Sequence, residues 1–273
     1  MIKIVDIDAL FEGYISDYVY KNIGKVKPEE IEDNMPVLYE KFGNEKLKEL
    51  DGKTPNEYYR GFDAETLVNC LKTHVEQKVD VSDFLCEAIT SALGAEDALN
   101  SALSEDNDEV FMIYVMNMLL EIGATKCCPR LLEIILWDYP EMMRELATEI
   151  LNENADLVKE QILTQFNDVE DSKKAYLTEI LSHAEKDDRI FNILVTEFAK
   201  HQKDIPTYAN HLAKYGDERA IPFLMNAIED EKIKYSDFEE LRFAIEALGG
   251  EYNKERDFSA EKTYKLIKNS RKK

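Results

Sequence analysis

The sequence predicts an all-α chain, a right-handed α-solenoid of stacked helical hairpins with a helical cap at its N-terminal end. Three observations predict it. Apolar residues recur at a spacing of 31, and polar or helix-breaking segments recur with them. The 273 residues include only 10 Gly and 7 Pro, few for an all-β chain full of tight turns.

The period shows first in two stretches, "IGATKCCPRLLEIIL" from Ile122 and "YGDERAIPFLMNAIE" from Tyr215. Each has Gly, then Pro six residues later, then an apolar helical run, and the two glycines lie 93 residues apart, three times 31. Steps of 31 give Leu131, Ile162, Ile193 and Leu224, then Leu132, Leu163, Leu194 and Met225. They also give Leu119, Ile150, Leu181 and Leu212, and Val115, Leu146, Leu177 and Tyr208. All sixteen positions are apolar in a chain that is 44% hydrophobic. Val115 and Leu119 share one helix face, and Leu131, Leu132 and Ile135 keep the same 3.6-residue rhythm. Each unit is therefore a first helix A, a loop, a second helix B, and a turn.

In chain order, residues 1–61 fit no repeat and form the expected cap. "IDALFEGYISDYVYKNIG" and "PVLYEKFGNEKLKEL" read as helices, and Thr54-Pro55-Asn56-Glu57 starts another with an N-cap Thr, Pro at the first helical position and a capping-box Glu. Residues 62–250 carry the repeats. "DAETLVNCLKTHV" and "VSDFLCEAITSAL" make a first helix pair, and "LGAEDALNSAL" begins the next unit at Gly94. The loops are "SEDNDE" at Ser104–Glu109, "WDYP" at Trp137–Pro140, "NDVEDS" at Asn167–Ser172, "KHQKDIP" at Lys200–Pro206 and "EDEKIKYSD" at Glu229–Asp237. Gly123, Gly216 and Gly249 suit left-handed turns after helix B; Asn154 in the same column can adopt that conformation, and Glu185 cannot do so easily. Residues 251–273 end in a C-terminal helix and basic tail with Lys262, Lys265, Lys268, Arg271, Lys272 and Lys273. The whole is expected to be one continuous unit of about five to seven helical pairs.

"LAKYGDERAIPFLMNAI", Leu212 to Ile228, resembles the short HEAT-like repeat also found in phycobilin lyases, through its Gly, its "DERAIP" turn and the "FL" that follows. "LLEIGATKCCPRLLEII" shares the Gly and Pro without the Asp-Arg of the turn, and the two repeats between lack both Gly and Pro. The resemblance covers Gly94 to Gly249. It implies that helix B lines the concave side. Such repeats serve many roles, so it is nearly silent on function.

Little in the sequence names a reaction. His74, His183, His201 and His211 form no HExxH or HxxxH pair. Cys128 falls in the column of Leu99, Ile190 and Ile221, so a buried small hydrophobe is expected there, whereas Cys127 is the one thiol open to a reactive reading. "SEDNDE" fails as an EF-hand loop, because Phe111 and Asn117 stand where Gly and Glu are needed. There is no GxGxxG, P-loop or GxSxG, and no cofactor or metal is expected.

The 56 acidic and 34 basic residues give a formal charge of −22, which opposes nucleic acid and anionic membrane as partners and favours a basic one. The start "MIKIVDIDALFEGY" lacks a signal-peptide pattern, and "FMIYVMNMLL" is too short to span a bilayer. The expected setting is cytoplasmic. Opposite the core columns of helix B stands a ladder that would line the concave side: Tyr114, Asn117 and Glu121; Glu145, Thr148 and Asn152; Tyr176, Glu179 and His183; Thr207, Asn210 and Lys214. Its aromatic, acidic and amide groups suit a protein or peptide segment. The expected function is a non-enzymatic binding scaffold for a basic protein. The alternatives are a HEAT-like enzyme of lyase or DNA-repair type, with Cys127 as the lyase candidate, and an acidic immunity or inhibitor protein. The DNA version requires a basic groove, and this ladder has one Lys and three Glu.

Overall fold

In a computed structural model of the chain, residues 2–23, 28–104, 107–262 and 264–266 are described. Among them are sixteen α-helices and no strand. No helix among them is long and apolar enough to cross a membrane. The chain divides into two compact units, Met1–Cys127 and Cys128–Lys273.

The first unit begins with α1 (Ile7–Lys21), α2 (Pro28–Asp33), α3 (Met35–Gly43) and α4 (Pro55–Tyr58). The helix expected across 36–50 ends at Gly43. Asn44 ends it by turning its side-chain amide back to the Glu40 carbonyl at 2.9 Å, a local bond that competes with further helix. α4 starts as its sequence predicts: Thr54 N donates to Glu57 Oε2 at 3.5 Å, with Pro55 inside the first turn. Then come α5 (Ala64–Gln77), α6 (Asp83–Thr90), α7 (Ala95–Ala102) and α8 (Glu109–Glu121). α5 packs on α6 and α7, and α8 packs on α5, α6 and α7. Phe11, Tyr39 and Phe42 of α1 and α3 form an aromatic cluster that reaches α6, where Tyr39 stacks on Phe84 at 5.0 Å.

The second unit contains α9 (Cys128–Leu136), α10 (Glu141–Glu153), α11 (Ala155–Gln165), α12 (Asp171–Ser182), α13 (Asp188–Lys200), α14 (Ile205–Tyr215), α15 (Ile221–Ile228) and α16 (Tyr235–Ala247). They pack as hairpins, α9 with α10, α11 with α12, α13 with α14 and α15 with α16. The second helices also pack in succession, α10 on α12, α12 on α14 and α14 on α16. The five polar segments named from the sequence bridge the paired helices as expected, although residues 105 and 106 of "SEDNDE" lie outside the described residues.

The apolar columns are the core. Twelve of the sixteen positions are buried, Leu146, Leu163, Ile193 and Met225 are half-buried, and none is exposed. The turns after the second helices close in different ways from one hairpin to the next. Gly123 and Gly216 have φ of +62° and +69°, where a side chain would be strained. Asn154 does not adopt that conformation: its φ is −123°, and its amide donates to the Ile150 carbonyl at 3.0 Å, so the turn closes by a side-chain bond. At the Glu185 turn the backbone N–H of Glu185 donates to Asp156 of the preceding A helix at 3.1 Å.

A second device recurs in the same unit. Arg189 donates from its backbone and its guanidinium to Asp187, then reaches Glu160 of α11 at 2.6 Å. Arg219 does the same with Asp217 and reaches Asp188 of α13 at 2.8 Å, its guanidinium 4.3 Å from the Phe191 ring centroid. The Asp-x-Arg of the "DERAIP" turn therefore binds one hairpin to the one before it. At the C-terminal end the expected helix does not begin at Ser259: Ser259 and Ala260 form a turn, Lys262 and residues 264–266 are helical, and residues 263 and 267–273, with Lys268, Arg271, Lys272 and Lys273, lie outside the described residues.

Candidate functional site

The sequence ladder meets a cavity on α10 and α12. Met143, Ala147, Ile150 and Leu151 turn one face of α10 into the core, and Leu177, Thr178, Ile180 and Leu181 do so for α12. Helical spacing then sets Glu145 and Glu149 one turn apart on α10, and Tyr176 and Glu179 three residues apart on α12. Between the two helices lies a cavity of about 330 Å³ lined by Glu145, Thr148, Glu149, Asn152, Tyr176 and Glu179. Five of these six are ladder residues.

Two of the donors in the lining are already used. Asn152 Nδ2 donates to Glu179 Oε1 at 3.1 Å, and Asn152 Oδ1 stays buried without a hydrogen-bond partner. Thr148 is buried, not exposed as the ladder implied, because its hydroxyl turns back to the Arg144 carbonyl at 2.8 Å. Glu145 and Glu149 are exposed, and their carboxylates make no hydrogen bond or ion pair among the described residues. The Arg144 guanidinium lies 5.6 Å from the Tyr176 ring centroid, and Lys214 of α14 stands 3.9 Å from Glu179 at the edge of the site. His183, at the end of α12, is held below its ordinary pKa by partial burial and then by the Lys214 ammonium.

The other ladder residues fall as follows. Thr207 donates to Asp204 at 2.9 Å, and Asn210 is exposed on α14. Tyr114, Asn117 and Glu121 lie on α8 in the first unit. Tyr114 is half-buried there, its hydroxyl pKa raised by burial and by Cys86, Asp80 and Asp8. Cys86 is itself pushed up to about 11 by burial and the negative charge of Asp83, Glu121 and Asp8.

Glu149 is the residue the ladder missed, and the sequence did carry its signal. Steps of 31 from Met118 give Glu149, Ile180 and His211; Met118, Ile180 and His211 are buried, and Glu149 alone is exposed. A carboxylate in a core column marks the place where the seam opens.

Two larger cavities have less to offer a ligand. One of about 590 Å³ between α5 and α7 includes Asp63 and Asp97, yet Asp63 already caps Thr66 and Asp97 already pairs with Lys126. One of about 490 Å³ beside α16 is lined by Arg242, whose guanidinium lies near both Glu239 and Glu246. Cys127 lines none of these; it is fully buried, with its thiol 3.8 Å from the Ala124 carbonyl. Cys128 is buried as its column requires. No group of three or more His, Cys, Asp or Glu among the described residues could hold a metal ion. The α10–α12 site can accept hydrogen bonds and stabilise positive charge; its lining has neither histidine nor cysteine.

Comparison with known proteins finds no matching family model, no matching curated protein and no matching solved structure.

Proposed function

We propose that this chain is a HEAT-like α-solenoid, a cytoplasmic, non-enzymatic scaffold that grips a basic protein or peptide on the concave face formed by its B helices. The observation that carries the reading is the α10–α12 groove, where five ladder residues meet and two carboxylates stand without partners. The formal charge of −22 supports it by steering cationic partners toward the surface. The succession of α10, α12, α14 and α16 supports the solenoid geometry, because such a row is what stacked hairpins produce.

The test is a titration of the intact protein with cationic and anionic oligopeptides, oligolysine, oligoarginine and oligoglutamate, at two salt concentrations. Cationic peptides bind, more weakly at high salt, and a Tyr176→Ala, Glu179→Ala double variant loses about tenfold in affinity. Binding that the double variant leaves unchanged refutes the concave-face reading.

A further inference from the structure

The groove is more selective than its charge alone would make it. Its acceptors are spread over two helices: Glu145 and Glu149 on α10, Glu179 on α12, and the unpartnered Asn152 Oδ1 between them. Two of the donors on its walls are already used, Asn152 Nδ2 on Glu179 and the Thr148 hydroxyl on the Arg144 carbonyl. An occupant that brings several donors, in a plane that can lie against Tyr176, matches these acceptors. A guanidinium has five N–H donors in a rigid fork and stacks on aromatic rings, whereas an ammonium concentrates three donors at a point. The Tyr176 ring already attracts one guanidinium, that of Arg144.

We propose that the α10–α12 groove is an arginine-reading subsite, which takes the side chain of one arginine on a partner segment and discriminates it from lysine. This rests on the reading of the B-helix face as a surface for basic partners, and it names which basic residue is read. Glu145 and Glu149 supply the charge, Glu179 and Asn152 Oδ1 the more buried acceptors, and Tyr176 the flat wall.

The experiment is calorimetric titration of the full chain with three blocked pentapeptides, identical except for a central Arg, Lys or citrulline. Citrulline keeps the shape and loses the charge. The Arg peptide binds at least about fivefold more tightly than the Lys peptide, and the citrulline peptide binds at least about tenfold more weakly than the Arg peptide. Glu145→Gln and Glu149→Gln, both at exposed positions that leave the core untouched, each weaken the Arg peptide about fivefold; Glu240→Gln, an exposed acid on α16, does not. Free arginine added as competitor separates capture of a small guanidinium compound from reading of a peptide: it displaces the peptide only at concentrations well above the peptide's own Kd. Equal affinity for Arg and Lys peptides overturns the arginine subsite and leaves the basic-partner reading standing. So does an effect of Glu240→Gln as large as that of Glu149→Gln. Failure of every cationic peptide to bind overturns both.

Discussion

Two neighbouring seams in the second unit are built from the same columns and end differently. Between α10 and α12, Glu149 occupies a column otherwise filled by buried residues, and the seam opens into an acid-lined groove. Between α12 and α14, the same column holds His211, which is buried against Thr178 with Thr178 Oγ1 and His211 Nδ1 3.1 Å apart. One polar side chain in a core column has been left in water; the other has been given a partner and closed over. One position thus separates a seam with a cavity from a closed one, while the apolar columns of both stay buried or half-buried.

The largest effect should come from the closed seam. Leu181 is fully buried there, and Leu181→Ala is expected to cost about 3 kcal/mol, visible as a lower denaturant midpoint. The contrast between the seams predicts almost none of that for Glu149→Ala.

Acid should attack the closed seam next. Burial holds His211 down at about 4, against about 6.5 for an exposed histidine, with Glu179 opposing and Lys214, Asp204 and His183 also within electrostatic range. Between those values the unfolded chain binds a proton that the folded chain refuses, so stability falls as pH falls, by up to about 3 kcal/mol. Unfolding curves from pH 7 to pH 4 should show this slope, and a His211→Asn variant should flatten it. An unchanged slope would mean that other groups govern the acid limb.

Thr178→Val removes the hydroxyl and leaves the buried imidazole without that partner, with an expected loss of about 1–2 kcal/mol by thermal or denaturant unfolding. The smallest effect reverses sign. Glu149→Leu restores the apolar column and should stabilise the chain by about 1 kcal/mol while weakening cation binding in the groove. If stability falls instead, the groove is needed for packing and the comparison between seams fails.

Much of this architecture was legible beforehand because burial repeats with the chain. The sixteen apolar positions and the loop segments follow from periodicity alone, and Gly123 and Gly216 announced their turns because only a missing side chain makes a positive φ cheap. Legibility ended where side chains did the work of backbone. Asn154 can adopt a left-handed turn, but it has φ of −123° and its amide donates to the Ile150 carbonyl instead. The helix face of Thr148 predicts exposure, but its hydroxyl donates to the Arg144 carbonyl and the residue is buried. The two middle units lack Gly and Pro, yet in one of them Asp187-Asp188-Arg189 makes the same Asp-x-Arg contact. Of the site, five of the six lining residues came from the ladder, and Glu149 needed only attention to the acid in a buried column.

The Asp-x-Arg clamps carry a consequence for how such a chain could change length. Arg219 reaches back to Asp188, which stands immediately before Arg189, and Arg189 reaches back to Glu160. Removing residues 188–217 would join Asp187 to Glu218 and recreate Asp-x-Arg at the new junction, with Arg219 set to meet Glu160. Duplicating the same segment would add one more donor and one more receiver in matching order. The ends of this segment are interchangeable, so gain or loss of a whole hairpin by recombination would leave every surviving clamp with an acid to grasp.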